Sequence, residues 1–242
     1  MQAYNFCKQA KDARKVPERR KFRREGEERR REQLVSAALD VIANEGADRA
    51  TVRAIAERAG VTQGLIRHYF LSKDALTRTA YDTHMQRINE VSFAACDAAE
   101  KADPAMRLAV FVVATLLPEA LTDTAFGLWT GFVQRVRRDP EMAKIHAANY
   151  LAYRDGLEAL IAALPGPGGR ARTTAELRAR AIACNAVIDG LWLEGSAWPQ
   201  GFADGELARI GLDAVGALID YPLPLPPALA REAALAREKD KT

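Results

Sequence analysis

The sequence predicts an all-α protein with an N-terminal three-helix domain and a C-terminal helical bundle. Three observations lead to this prediction. Apolar residues recur at three- and four-residue spacing through most of the 242 residues. Thr51, Asp103-Pro104 and Asp139-Pro140 are typical helix starts, since each offers a capping side chain, and two of them add a proline in the first turn. No stretch alternates apolar and polar residues as a half-buried strand does.

A basic arm, residues 1–28, precedes the first predicted helix. Residues 1–31 hold twelve Lys or Arg against five Asp or Glu, a net charge of +7, whereas the whole chain carries +3. The excess positive charge therefore lies at one end, where it favours binding to phosphates through release of counterions. A solvated, disordered extension fits the same composition about equally well, because few apolar residues would anchor it.

The three-helix domain is predicted to cover residues 29–73. Its first helix runs from about 29 to 44, with Leu34 and Ile42 in its inner stripe, and Gly46 ends it. It should pack over the two shorter helices that follow.

Those two helices are predicted at about 52–58 and 63–70. Thr51 and Thr62 occupy their N-cap positions, and Gly60 ends the first without strain. Two capped helices joined by a tight turn that contains glycine are typical of a helix-turn-helix.

The second of these helices has two opposite faces. Its apolar arc consists of Leu65, Ile66, Tyr69 and Phe70. Its polar arc consists of Gln63, Gly64, Arg67 and His68. The polar arc points outward near the helix N-terminus, which is where a recognition helix contacts base edges in the major groove. An ordinary helical hairpin with a polar outer face is the alternative.

Residues 34–79 resemble the DNA-binding domain of the TetR (tetracycline repressor) family. The matching segments are LVSAALDVIANEG, TVRAIAERAGV and TQGLIRHYFLSKDAL. In this resemblance Tyr69 and Lys73 match phosphate-binding positions, whereas Arg67 departs from the Tyr that many members carry. The predicted DNA-binding residues are Thr51, Arg53, Thr62, Gln63, Gly64, Arg67, His68, Tyr69 and Lys73.

A second, all-helical domain is predicted for residues 74–221, for ligand binding and dimerisation. Ser72 caps a long connecting helix that runs to about Lys101, and an apolar helix at 106–117 should occupy the centre of a core. The remaining helices are expected at about 124–138, 140–164, 174–195 and 204–221. Residues 222–242 read as a Pro-rich and then charged tail.

Small and apolar residues close together on the last two helices predict a dimer interface. These residues are Ala183, Ala186, Val187, Gly190, Leu191, Ile210, Ala214 and Leu218. Without further information an intrachain core is an equal alternative. The segment NAVIDGLWLEG, residues 185–195, resembles the family branch that includes the choline-responsive repressor of glycine-betaine synthesis, and this resemblance favours a homodimer.

An effector site is predicted among the aromatic residues of the second domain, although most of them are expected to fill the core. The candidates are Phe126, Trp129, Tyr153 and Trp192. If the choline-type resemblance extends to the ligand, such rings would cage a quaternary ammonium group through cation–π attraction. Glu119, Asp123 or Asp189 would supply the counter-charge.

Neither an enzyme nor a metal or cofactor site is predicted. His68, His84 and His146 lack partners at metal-ligand spacing, and the chain has no Gly-rich phosphate loop. The cysteines at positions 7, 96 and 184 are expected to be reduced thiols of a cytoplasmic protein. No apolar run reaches the roughly 18 residues of a membrane span, and no secretory signal is recognisable.

The resemblance thus implies a homodimeric transcriptional regulator, most simply a repressor. It would bind a palindromic operator in double-stranded DNA and leave it when an unknown small-molecule effector binds. The alternative from another class is a helical interaction module whose basic arm binds RNA or membranes non-specifically.

Overall fold

A computed structural model gives the structure of the chain and describes residues 18–99 and 102–231. Within these ranges the chain forms nine α-helices and no strand, which confirms the predicted all-α class. They are α1 (Glu18–Glu45), α2 (Val52–Ala59), α3 (Gln63–Tyr69), α4 (Lys73–Ala98), α5 (Pro104–Ala114), α6 (Asp123–Val136), α7 (Pro140–Ala162), α8 (Thr174–Ala197) and α9 (Glu206–Ile219). None of these helices is both long and apolar enough to cross a membrane.

The first helix is longer than predicted. It begins at Glu18, eleven residues before the expected start at residue 29. Apart from Phe22 and Gly26, the added residues are good helix formers, so that a continuous helix is favoured. The rest of the predicted arm with Cys7, the expected end of the connecting helix at Lys101, and the end of the tail lie outside the described residues. The predicted domain boundaries stay predictions.

Most predicted helix ends are found where the capping residues stand. The Thr51 and Ser72 hydroxyls each accept a hydrogen bond from the backbone N–H three residues further on, at 3.1 Å. Gly60 ends α2 in the left-handed conformation, with φ of 65°. The prediction that Thr62 caps α3 is only partly right. Thr62 occupies the N-cap position with extended backbone, but its side chain makes no capping hydrogen bond.

One hydrophobic core lies under the helix-turn-helix unit. Side chains of α1, α2 and α3 meet those of α4, α6 and α7 there, and the largest fully buried members are Leu34, Ile42, Ile55, Ile66, Leu76, Phe132 and Met142. Helix α6 approaches α1 closely through two glycines. A Cβ on Gly127 would collide with the backbone carbonyl of Ala43, and one on Gly131 would lie 2.7 Å from the Ile42 Cγ2. The helix-turn-helix unit is therefore packed directly on the second half of the chain.

A second core surrounds α5, as the apolar run predicted. Leu108, Phe111 and Val112 are fully buried and meet side chains of α7, α8 and α9. The 3.6-residue spacing leaves Phe126, Trp129, Phe132 and Val133 as candidates for the inner face of α6, and the structure buries only part of this set. Leu128 and Phe132 take the buried face, whereas Trp129 and Val133 are 41% and 43% exposed.

Candidate DNA-binding surface and effector site

The outer arc of α3 is exposed, as its spacing predicts. Gln63, Gly64, Arg67 and His68 face solvent, whereas Ile66 is buried in the first core. The packing behind the helix thus leaves its hydrogen-bonding side chains free to meet a partner. The dimensions of a single helix with a polar outer face suit the major groove of DNA.

A residue that the sequence analysis did not single out secures the end of α3. The Arg31 guanidinium of α1 donates a hydrogen bond to the Tyr69 carbonyl at 3.4 Å and lies 4.5 Å from the centre of the Phe70 ring. A cation at this place also complements the negative end of the helix dipole. The sequence alone does not distinguish Arg31 from the other basic residues of the N-terminal segment, because a contact between distant residues leaves no periodic pattern.

The other predicted DNA-contacting residues lie around this helix. Thr51, Arg53 and Thr62 are exposed, and Tyr69 and Lys73 are half-buried. Arg53 pairs with Glu57 of the same helix at 2.9 Å. An exposed pair of this kind contributes little to stability, so the guanidinium is easily redirected to a phosphate.

Lys73 is half-buried among charges of both signs. Burial and the neighbouring Arg135 guanidinium lower the pKa of its ammonium group, while Asp74 and Asp48 act in the opposite direction. Arg135 itself donates to the Ala47 carbonyl at 3.3 Å, which holds it beside the turn before α2. A phosphate group placed against Lys73 would be attracted by both this ammonium group and the Arg135 guanidinium.

The predicted effector residues fall into two groups of rings. Trp129 contacts Trp192 at a centroid distance of 6.4 Å, and Phe126 stacks on Trp129, also at 6.4 Å. The Trp192 indole donates to the Ala120 carbonyl at 2.9 Å. Tyr153 instead contacts the rings of Phe93 and Phe111. The four candidates thus do not form one cage in the single chain.

Asp189 is the candidate counter-charge that lies beside one of these rings. Its carboxylate accepts a hydrogen bond from the Asn185 amide at 2.8 Å. Asp189 as a whole residue is exposed in the single chain. Its carboxyl group is nevertheless partly surrounded by protein, and this desolvation raises the pKa of the carboxyl. Burial, and then the charge of Asp189, raise the pKa of the Tyr153 phenol. Glu119 and Asp123 are exposed, near the start of α6.

The predicted dimer residues form a surface that lacks full cover in the single chain. Ala186, Gly190 and Ile210 are exposed, and the other five are half-buried. A Cβ on Gly190 would meet no atom within 4 Å. Ile182, which was not predicted, is 39% exposed on the same helix as Ala186. An apolar face of this kind on paired helices is typical of a protein–protein contact.

Comparisons with known proteins match both halves of the chain. The family described as bacterial regulatory proteins, tetR family, matches residues 34–80. The family described as BetI-type transcriptional repressor, C-terminal, matches residues 104–220. The HTH-type transcriptional regulator BetI of Stenotrophomonas maltophilia is 34% identical over 169 residues, which are 69% of this chain and 81% of that protein. The BetI protein of Serratia proteamaculans is 27% identical over 184 residues, which are 76% and 89% of the two chains.

Solved structures show the same fold. A transcriptional regulator from Pseudomonas aeruginosa superposes with a TM-score of 0.68 at 30% identity, covering 87% of this chain and 94% of its own. A regulator from Saccharomonospora viridis in complex with choline has a TM-score of 0.58 at 19% identity, over 78% and 95% of the two chains. FadR from Bacillus subtilis in complex with stearoyl-CoA also has a TM-score of 0.58, at 22% identity, over 77% and 96%.

Proposed function

Because this chain belongs to the TetR family, with a BetI-type C-terminal domain, we propose in detail how it binds DNA and responds to a ligand. Members of this family are DNA-binding transcriptional regulators with ligand-binding C-terminal domains, and they are not enzymes. We propose that this protein is a homodimeric repressor of the bacterial cytoplasm. Two copies of α3 would hold the dimer on a palindromic operator, and binding of a small organic cation would release it.

The observation that carries the DNA-binding proposal is the exposed polar arc of α3 over a buried apolar face. Arg67 is placed to contact guanine with both ends of its guanidinium, a contact worth about 1–3 kcal/mol of discrimination between bases. Gln63 and His68 offer further hydrogen bonds on the same face. Gly64 has no side chain, so the helix backbone approaches the base pairs closely.

Contacts to the DNA backbone flank this helix in the proposal. The phosphate-binding residues would be Thr51 and Arg53 at the start of α2, Thr62 before α3, Tyr69 at the end of α3 and Lys73 after it. Such contacts fix the position of the protein but carry little sequence information. Lys73 is the member of this set that carries a full charge next to a second cation, Arg135, which supports it as a phosphate contact.

The face of α8 and α9 that includes Ala186, Gly190 and Ile210 would pack against the same face of a second chain. Small residues let the four helices approach closely. A two-fold axis through this interface would place the two α3 helices in successive major grooves, about 34 Å apart. This symmetry is the reason for expecting a palindromic operator.

An organic cation is the effector that the chemistry of the second domain favours. The Asp189 carboxylate, whose charge acts on the Tyr153 phenol, offers a counter-charge, and the Tyr153 ring offers a π-face. Trp192 and Trp129 form a separate pair of rings on α8 and α6. Helix α4 connects α3 to this domain and would have two orientations, one that fits DNA and one that does not. The ligand would bind more tightly to the second, and the ratio of its two affinities would limit how far it lowers the affinity for DNA.

Selection of binding sites from random double-stranded DNA tests the DNA-binding proposal. We expect an enriched palindrome whose half-sites lie about one helical turn apart. The Arg67→Ala variant should return a motif with relaxed preference at one symmetric pair of positions. An unchanged motif would exclude Arg67 as a base reader, and uniform binding without any motif would favour the non-specific interaction module instead.

Calorimetric titration with choline tests the ligand class. We expect heat of binding in the protein and its loss in Asp189→Asn, which keeps the shape of the side chain but removes its charge. Asp97→Asn, a change at an exposed carboxylate near the end of α4, is the matched control and should bind normally. The absence of heat at millimolar choline, together with no release of operator, would refute the quaternary-ammonium proposal and leave the regulator intact.

A further inference from the structure

Helices α4 and α7 run side by side in the same direction and are joined by polar contacts along their length. Contacts pair Arg78 with Asp139, Tyr81 with His146, Asp82 and Asn89 with Asn149, and Phe93 with Tyr153. We call this set of pairs the α4–α7 seam. The numbers rise together on both helices, so that the start of α4 is paired with the start of α7.

Asn149 is the centre of the seam and is buried, with 7% exposure. Its side-chain amide donates to the Asp82 carboxylate at 2.9 Å and to the Ile145 carbonyl of its own helix at 3.0 Å. Its backbone carbonyl accepts from the Asn89 amide at 3.2 Å. Because a buried polar group is costly when it is left without partners, these bonds favour one register of the two helices.

The end of the seam near the DNA-binding unit is an ion pair with two hydrogen bonds. The Arg78 guanidinium contacts the two Asp139 oxygens at 2.7 and 3.0 Å. The same carboxylate caps α7 by accepting from the Glu141 and Met142 backbone N–H groups. A cleft of about 350 Å³ lies here, lined by both members of the pair. The first turns of α4, five residues after Lys73, are therefore tied to the start of α7.

The other end of the seam reaches Tyr153. The Phe93 ring of α4 lies 6.0 Å from the Tyr153 ring, and a Cβ on Gly156 would collide with it, so that this ring packs directly on the α7 backbone. Between the two ends, the Tyr81 hydroxyl and the His146 Nδ1 are hydrogen-bonded at 2.7 Å. Burial lowers the pKa of His146, which keeps the middle of the seam free of a net positive charge.

We propose that α7 carries the state of the effector site to α4 through this seam, and that Asn149 is the positioning residue that makes the two helices move together. Fifteen residues of helix separate Arg78 from Phe93, which corresponds to about 22 Å. A shift of α7 caused at Tyr153 would therefore reach the first turns of α4 through these pairs. The inference rests on the proposed DNA-binding function. It adds a route between the effector site and α4, and it names the residues that form this route.

The test uses operator DNA itself as the probe, because coupling between two sites is reciprocal. Amide hydrogen exchange of residues 145–156 is measured in the full chain with and without a saturating amount of the selected operator. We expect the operator to slow exchange there by at least about fivefold, the lower end of ordinary coupling. Asn149→Leu should lose this slowing while it still binds the operator.

Two further variants distinguish coupling from simple destabilisation. Ser92→Ala removes a buried hydroxyl that donates only to the Ile88 carbonyl within α4, so the response of α7 should persist. The double variant Asp82→Asn, Asn149→Asp exchanges donor and acceptor and should restore the response in part, even if Asn149→Leu folds poorly.

The outcomes separate the two proposals. Two results would refute transmission through the α4–α7 seam but not the regulator function: operator binding without any change in α7 exchange, or a full response in Asn149→Leu. The direct contact of α6 with α1 would then be the route between the two sites. Failure to obtain any operator would overturn the proposed function and the seam with it.

Discussion

The close approach of α6 to α1 can be tested by adding a single methyl group. In Gly127→Ala the new Cβ would collide with the backbone carbonyl oxygen of Ala43 and lie 3.2 Å from its Cα. Because these are backbone atoms, no side-chain rotation relieves the contact, and α1 must move away from α6. We therefore expect the variant to lose stability and to misplace the DNA-binding unit, whose first helix carries Ala43.

Two opposing effects set the magnitude of this loss. Overpacking of this kind destabilises a protein by about 1–3 kcal/mol, and replacing glycine by alanine within a helix returns up to about 1 kcal/mol. The net loss against the original protein should therefore be about 0–2 kcal/mol. Against a glycine-to-alanine variant without a collision the full loss of about 1–3 kcal/mol should appear, which is a difference of roughly 3–9 °C in melting temperature for a chain of this size. The melting temperature is measured by calorimetry at one fixed protein concentration, since dimerisation makes it concentration-dependent.

Gly26→Ala is the matched control for this variant. Gly26 also lies within a helix, but a Cβ there would meet no atom within 4 Å. Its melting temperature should be unchanged or slightly raised. A Gly127→Ala protein as stable as the control would refute the close α1–α6 contact and the direct packing of the two halves of the chain.

Three further predictions concern binding and assembly. Lys73→Ala should weaken binding to all DNA sequences similarly and reduce the slope of log affinity against log salt by about one unit; an unaltered slope would remove Lys73 from the phosphate contacts. Ala186→Arg should bury an unpaired charge in the interface and so yield a folded monomer in sedimentation that no longer binds the operator, whereas a variant that is still dimeric would place the interface elsewhere. Arg31→Ala should reduce operator affinity more than Arg30→Ala, because Arg31 contacts Tyr69 and Phe70 while Arg30 donates a hydrogen bond to the exposed Gln33 of its own helix. Equal losses would mean that Arg31 acts through its charge alone.

Much of the fold could be predicted because its signals are local. A capping residue and the spacing of apolar residues lie within a few positions of the helix they define, so that the starts of α2, α4, α5 and α7 were found within about two residues. The two faces of α3 follow from the angle of 100° between successive residues, and the structure buries Ile66 and exposes Arg67 accordingly.

The features that could not be predicted depend on distant parts of the chain. The inner face of α6 is decided by the approach of α1 at Gly127 and Gly131, and this approach turns Trp129 outward. The partners in the α4–α7 seam are 60 or more residues apart, and Arg31 is 38 residues from Tyr69. Neither kind of contact leaves a pattern in the local sequence. The predicted contacts to DNA, effector and second subunit stay predictions, since they involve molecules outside the chain.

The ratio of affinities for the selected operator and for unrelated DNA tests the central claim most directly. It is measured by competition titration of the dimer at one near-physiological salt concentration, since affinities at different salt cannot be compared. A sequence-specific regulator that reads bases through α3 should prefer its operator by at least about 10³-fold. A ratio near one, with binding that falls uniformly as salt rises, would contradict the claim and would identify the chain as a non-specific binder of polyanions.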